Sequence, residues 1–271
     1  MKVFISIDLE GVSGVCQLDQ IEHGTDEWQG ARRLMRGDLD AVVAGCLEGG
    51  ADEIVVCDAH DHGDNLELAG LPPGVSLVSG GGTALSMMSG VESGVDAALM
   101  VGYHARAGTA WATLAHTYLF AITGAVVCGG PEGEMAVGEL GLNGAVAGAF
   151  GVPLAFASGD DKLAAEAQAL VPGIETVTVK DGLSWSAARL LAPEAARDAL
   201  RAGAHRALTG PLPTPLDWNG RSLRLSFGRP DHCDRAAGCP GVTRRDGLTI
   251  EIPAADWLAV FASFITCTNL I

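Results

Sequence analysis

Asp8 and Glu10 are the first residues of the chain whose types and spacing could do chemistry. They stand at the end of an apolar, β-branched run, Val3-Phe4-Ile5-Ser6-Ile7, that reads as a buried strand. Residues two apart on a strand share a face, so the two carboxylates project together. Such a pair at the end of a buried strand repels itself and costs desolvation, and it exists most readily when a cation or a shared proton sits between its members. The competing reading is that Asp8 caps a turn while Glu10 is solvated. Two histidines occupy comparable places: His60 follows the run Glu53-Ile54-Val55-Val56-Cys57, and His104 follows Ala97-Ala98-Leu99-Met100-Val101. Carboxylate and imidazole together suit zinc, manganese or iron better than calcium or magnesium. Four further candidates remain, His116, Glu132, Glu134 and Glu139. Glu139 precedes a small-residue helical stretch, where a carboxylate is favoured by the helix dipole whether or not it binds anything.

The elements that must position these residues alternate. Residues 28–47 carry Met35, Leu39, Val42, Val43 and Cys46 at helical spacing and stop at Gly49-Gly50. A helix between the runs ending at Ile7 and Cys57 makes a βαβ unit, which predicts parallel strands and places His60 at the same edge as Asp8. The pattern continues with a strand over 75–78, a short helix over 84–91, strands over 97–101 and 153–157, and helices over 140–150 and 161–170, the last capped by Asp160. The expected fold is α/β: a parallel-sheet α/β/α sandwich over residues 1–172, with the ligands at the carboxyl ends of its strands. After Pro172 the spacing predicts a strand over 176–179, one helix over 184–205, strands over 222–227 and 247–252 and a helix over 254–268, a smaller α+β domain over 173–271. The Gly80-Gly81-Gly82 turn lacks the lysine of a P-loop and reads as a plain loop.

Composition excludes several function classes. The 271 residues are 48% hydrophobic with a formal charge of −16, and no basic patch interrupts the acidic surface. A nucleic-acid backbone or an anionic membrane would be repelled. No apolar run reaches the length of a signal segment or a membrane span, so the expected location is the cytoplasm. The seven cysteines are scattered and read as small buried hydrophobes, and Cys233 and Cys239 beside His232 lack the spacing of a zinc knuckle.

Four motifs in order carry a resemblance: Ser6-Ile7-Asp8-Leu9-Glu10-Gly11, Asp58-Ala59-His60, Gly102-Tyr103-His104-Ala105-Arg106 and Val137-Gly138-Glu139-Leu140-Gly141-Leu142-Asn143. They resemble the D-aminopeptidase family of M55 metallopeptidases, in register through Ser158-Gly159-Asp160-Asp161 and more weakly after about Pro172. The resemblance implies an aminopeptidase with two zinc ions per subunit that releases N-terminal D-amino acids from short peptides or amides. Asp8 would bridge the metals, Glu10, His60, His104 and Glu139 would complete their shells, and His116 would be catalytic. It also implies a ring-like homo-oligomer, with a decamer as the expected size. One departure is a long, glycine-rich stretch between His116 and Glu139 that carries Glu132 and Glu134.

Ligand chemistry agrees with that implication. Five nitrogen and oxygen ligands are too many for one tetrahedral zinc with an open position, and they suit two metals about 3.5–4 Å apart that share a carboxylate. His116 is then free to move a proton as a general acid or base, although a nucleophilic role is the other reading. Asp58, Asp61, Glu132 and Glu134 are candidates to receive the substrate's α-ammonium. Two other functions fit the same ligands: a two-metal phosphoesterase, with Arg106 as its basic residue, and a non-catalytic metal-binding subunit of an oligomer.

Overall fold

The structure is a computed structural model that describes residues 1–271. Its elements in order are β1 (Lys2–Ile7), α1 (Asp26–Glu48), β2 (Glu53–Asp58), β3 (Val75–Val78), β4 (Ala97–Val101), β5 (Ile122–Gly130), β6 (Gly133–Ala136), α2 (Glu139–Ala149), β7 (Leu154–Asp160) and α3 (Asp161–Leu170). Then follow β8 (Glu175–Ser184), β9 (Ala187–Leu190), α4 (Pro193–Thr209), β10 (Ser222–Phe227), α5 (Pro230–Ala236), β11 (Thr243–Arg244), β12 (Thr249–Ile252) and α6 (Trp257–Asn269). A seven-stranded sheet runs β3-β2-β1-β4-β7-β8-β9, parallel except where β9 returns along β8. A five-stranded antiparallel sheet runs β11-β12-β10-β5-β6.

Strand alternation explains the layering. Val3, Ile5 and Ile7 of β1 face one way, into a core with Met35, Leu39 and Val42 of α1 and Leu200 and Ala204 of α4. Phe4 faces the other way, with Ala98 and Met100 of β4, toward α2, α3, the five-stranded sheet and α6. Helices therefore cover both faces of the larger sheet, as the expected α/β/α arrangement requires. α1 starts where the Thr25 hydroxyl accepts the Trp28 N–H at 3.0 Å, and α3 starts where Asp160 accepts from Lys162 and Leu163.

Several expectations differ from the observed elements. The single helix expected over 184–205 is a strand, β9, followed by α4. Pro193 explains the break, because it keeps Ala192 extended and is accommodated only in the first helical turn. The helix expected over 84–91 is one 3₁₀ turn, Ser86–Met88. The hairpin β5–β6 and the short α5 were not anticipated. Sheet membership also crosses residue 172 in both directions: β8 and β9 complete the larger sheet, whereas β5 and β6 belong to the smaller one. Residue 172 is therefore not a boundary between the two sheets.

Candidate metal centre

The site grows from the carboxyl ends of β1, β2 and β4, which lie side by side. Asp8 is the residue after β1, and its backbone N–H donates to Val101 O at 2.9 Å, so the chain still follows β4. Gly11 then donates to Gly102 O at 2.7 Å, and a side chain at Gly11 would run into the Tyr103 carbonyl. Only glycine permits this close approach. Asp8 does accept the Leu9 N–H at 2.9 Å, as the turn-capping reading supposed, but Glu10 is buried, not solvated. The loop carrying Glu10 is held from below by Lys180 of β8. This fully buried ammonium donates to the carbonyls of Glu10, Val12 (3.1 Å) and Val15 (2.5 Å). Nothing in the local sequence announces that role.

His60 is two residues past β2. Its loop is clamped by Asp58, whose carboxylate accepts from Asn65 N (2.7 Å), Asn65 Nδ2 (2.9 Å) and Leu66 N (2.8 Å), while Trp28 Nε1 donates to Asn65 Oδ1 at 2.8 Å. Asp58 therefore serves chiefly as scaffolding for this loop, with three hydrogen bonds already accepted, although it also lines the cavity described below. His104 sits past β4 and Glu139 opens α2. His116 comes from the 111–118 loop, in which Trp111, Leu114 and Tyr118 all adopt left-handed backbone angles (φ 61°, 52° and 59°). Three such non-glycine residues in one short loop are strained, and surrounding contacts must hold them.

All six side chains meet. Asp8 Oδ1 lies 3.3 Å from His60 Nδ1, and Asp8 Oδ2 lies 3.6 Å from His104 Nε2. Glu10 Oε2 is 3.2 Å from His60 Nδ1, and Glu139 Oε1 is 3.2 Å from His104 Nε2. His116 Nε2 stands farther off, 3.9 Å from Glu10 and 3.8 Å from Glu139. Three sets of ligand atoms fall within 4.8 Å: Asp8, Glu10 and His60; Asp8, His104 and Glu139; and Glu10, His104 and His116.

The outward hydrogen bonds of the histidines decide what the inward atoms can do. His60 Nε2 donates to Ile21 O at 2.9 Å, His104 Nδ1 to Ala105 O at 3.1 Å and His116 Nδ1 to Leu114 O at 2.8 Å. Each ring thus spends its N–H on a backbone carbonyl and turns its other nitrogen toward the carboxylates, the arrangement in which imidazole ligates a metal. Glu10 Oε2 and His104 Nε2 are buried without a hydrogen-bond partner. Buried polar atoms are rarely left so, and a cation between them satisfies both. Borderline nitrogen and oxygen donors with two unsatisfied inward atoms fit a pair of zinc-like ions.

The buried carboxylates demand positive charge, which protons on His60 and His104 supply in the protein alone and a bound cation would supply in their place. Burial opposes a charged His60, but Glu10 and Asp8 outweigh it and hold this imidazole well above the ordinary histidine range. Burial likewise opposes a charged His104, and Glu139, Glu10 and Asp8 nevertheless raise it to about 10. Against burial, His60 holds Glu10 well below the usual carboxylate value, and His104 lowers Glu139. Asp8 goes the other way: burial and then the charge of Glu10 lift it to about 7. Burial and the neighbouring His104 charge lower His116. The histidines therefore leave one carboxylate short of positive charge, and that carboxylate faces both halves of the cluster.

A cavity of about 590 Å³ opens above the cluster, with Asp8, Glu10, His60, His116 and Glu139 in its floor and wall. Glu22 and Asp61 also line it, and no lysine or arginine does. Glu132 and Glu134 are absent from the lining, a correction to their candidacy for ammonium binding. They lie on the exposed β5–β6 hairpin, paired with Arg221 at 3.1 Å and Arg224 at 3.0 Å. Arg106 does not line the cavity either; its guanidinium lies 3.5 Å from the Ala107 carbonyl.

Comparison with known proteins bears on this geometry directly. The model of the M55 peptidase family, D-aminopeptidase, matches residues 1–266, well past the point at which the motif resemblance weakens. The D-aminopeptidase of Bacillus subtilis (strain 168) is 32% identical over 276 residues, covering 100% of this chain and 97% of that protein. The solved structure of the Zn-dependent D-aminopeptidase DppA from Bacillus subtilis, described as a self-compartmentalizing protease, has a TM-score of 0.94 at 30% identity and covers 100% of this chain and 97% of its own. With the fold, the motif order and the whole length in agreement, the chain belongs to the M55 family of D-aminopeptidases.

Proposed function

We propose that the protein is a zinc aminopeptidase that binds two zinc ions per subunit and removes N-terminal D-amino acids from short peptides or amino-acid amides. One observation carries the reading: three imidazoles with their N–H groups turned outward aim their free nitrogens at three buried carboxylates. Asp8 would be the shared ligand, since its oxygens lie 3.3 Å from His60 Nδ1 and 3.6 Å from His104 Nε2. Glu10 with His60, and Glu139 with His104, complete the two halves. Bound there, zinc would supply Lewis acidity to the scissile carbonyl and lower the pKa of water toward neutrality.

The remaining steps belong to the chain. His116 Nε2 faces the cavity beside Glu10 and Glu139, placed to take the proton that the attacking water gives up and pass it to the departing amine. The Leu114 carbonyl fixes its tautomer. Glu22 and Asp61 at the cavity wall attract the substrate's α-ammonium, and the absence of a lining lysine or arginine disfavours a phosphate ester. The chain works in the cytoplasm as a ring-like homo-oligomer, as the self-compartmentalizing neighbour suggests, with a decamer as the expected size.

The test is an assay of purified, zinc-loaded protein on matched D- and L-aminoacyl amides, their N-acetylated forms and a generic phosphate ester. The D-aminoacyl amide should be cleaved fastest and the acetylated forms not at all. Equal cleavage of acetylated substrates would overturn the aminopeptidase assignment, and full activity with a single bound metal would overturn the two-zinc site.

A further inference from the structure

Four rings form a column from the cluster to the surface. His104 stacks on His116 with centroids 4.0 Å apart and planes 7° apart, Phe120 lies 4.4 Å from His116, and Trp185 meets Phe120 edge-on at 5.7 Å. Trp185 sits in the turn between β8 and β9 and is 41% exposed, so core burial does not account for it. Its side-chain and carbonyl hydrogen bonds both fall on the 111–118 loop. The indole N–H donates to Ala115 O at 3.2 Å, and the Trp185 carbonyl accepts the Leu114 N–H at 2.8 Å. These are the two residues immediately before His116, and Leu114 also holds the His116 tautomer through its own carbonyl. A second anchor lies farther back, where Asp160 Oδ2 accepts the Thr113 N–H at 2.8 Å.

We propose that Trp185 is a positioning residue for the peptidase reaction, holding the strained 111–118 loop by its indole N–H and the His116 ring by its contact with Phe120. The inference rests on the reading of His116 as the proton-transfer group. A loop with three left-handed non-glycine residues relaxes if its clamps are removed, and the imidazole at its tip then moves relative to the carboxylates. Displacement by about 1 Å is enough to lower a rate by orders of magnitude without weakening substrate binding. Trp185 reaches the cluster only through Phe120 and the backbone of the loop, so its loss should leave the metals in place.

The experiment compares zinc-loaded wild type, Trp185→Leu, Trp185→Phe and His116→Ala on a D-aminoacyl amide, with kcat, KM, zinc content and thermal midpoint measured for each. Leucine keeps apolar bulk but removes both ring and N–H, and phenylalanine restores the ring. Trp185→Leu should lower kcat about ten-fold with KM within about two-fold and with zinc and midpoint unchanged. Trp185→Phe, which keeps the ring contact with Phe120 but not the N–H to Ala115, should recover only part of that loss, and His116→Ala should lose roughly 10²–10⁴-fold in kcat with its zinc retained. If His116→Ala is impaired while Trp185→Leu has wild-type kcat, the inference fails and the reading of His116 stands. If both tryptophan variants lose activity only in proportion to lost zinc or lowered midpoint, Trp185 is structural and the inference fails. A wild-type kcat in His116→Ala removes the reading of His116 and the inference with it.

Discussion

Glutamates of one residue type meet opposite fates at the carboxyl edge of the seven-stranded sheet and on the β5–β6 hairpin of the five-stranded one. Glu10 and Glu139 are buried against histidines, and Glu132 and Glu134 pair with arginines in solvent. Topology makes the difference. Adjacent parallel strands deliver all their carboxyl ends to one edge, so loops far apart in sequence converge there. An antiparallel hairpin sends its ends in opposite directions and turns every second side chain to solvent, which disperses charged groups. Chemistry in this molecule therefore collects at the parallel edge, and the antiparallel sheet supplies a covering layer with α6.

The sharpest way to break that contrast is at Asp8, the carboxylate shared between the two halves of the cluster. Asp8→Asn should reduce kcat by roughly 10³-fold or more, a loss of several kcal/mol in transition-state stabilisation. Glu10→Gln should be at least about ten-fold less damaging, because it weakens only one half directly. Equal residual activity and equal zinc content in the two variants would show that Asp8 is not the shared ligand.

A smaller effect concerns how the same edge is supported. Asp38 of α1 accepts from Ser13 N at 2.8 Å and from Ser13 Oγ at 2.6 Å, tethering the loop beyond Glu10. Burial, only partly offset by those hydrogen bonds, raises its carboxyl from the ordinary aspartate range to about 6. The folded state thus holds a proton that the unfolded state has lost, so this group's stabilisation is full below about pH 4 and disappears as pH rises through 6. Across that window, wild type should lose roughly 3 kcal/mol of unfolding free energy relative to Asp38→Asn. Denaturant titrations of the two proteins that run parallel from pH 4 to 6 would rule the effect out.

The smallest expected effect belongs to the hairpin. The double variant Glu132→Gln, Glu134→Gln should keep kcat/KM within about two-fold and its thermal midpoint within about 2 °C, since solvent-exposed ion pairs contribute little. A rise in KM for free but not N-acetylated substrates would return these residues to the ammonium pocket.

How much of this was legible depended on where the determining contacts lie. β1, β2 and β4 were readable because each is an apolar run followed within three residues by a carboxylate or an imidazole, and three such ends beside one another define the site. The 111–118 loop was readable only as far as His116 itself. Its left-handed turns depend on Asp160 and Trp185, which no local pattern links to it. Lys180 illustrates the same limit: its partners Glu10, Val12 and Val15 lie in the loop after β1, 165 to 170 residues earlier in the chain. β5 was missed because Ile122-Thr123-Gly124-Ala125-Val126-Val127-Cys128-Gly129-Gly130 mixes strand formers with glycines, and the strand is stabilised by β10 far downstream. β9 likewise forms only by pairing along β8, which overrides the helical pattern of its residues.

The interleaving of the two sheets along the sequence sets an order of events during synthesis. Every strand of the larger sheet has been made by Leu190, including the three that carry Asp8, His60 and His104. β5 and β6 have been made by then as well, but β10, the neighbour of β5, begins only at Ser222. A two-stranded hairpin is marginal in water, and its open edge is a template for pairing with another chain. A nascent chain emerging from the ribosome therefore carries a nearly complete catalytic edge beside an unprotected strand, and its most aggregation-prone interval ends when β10 docks.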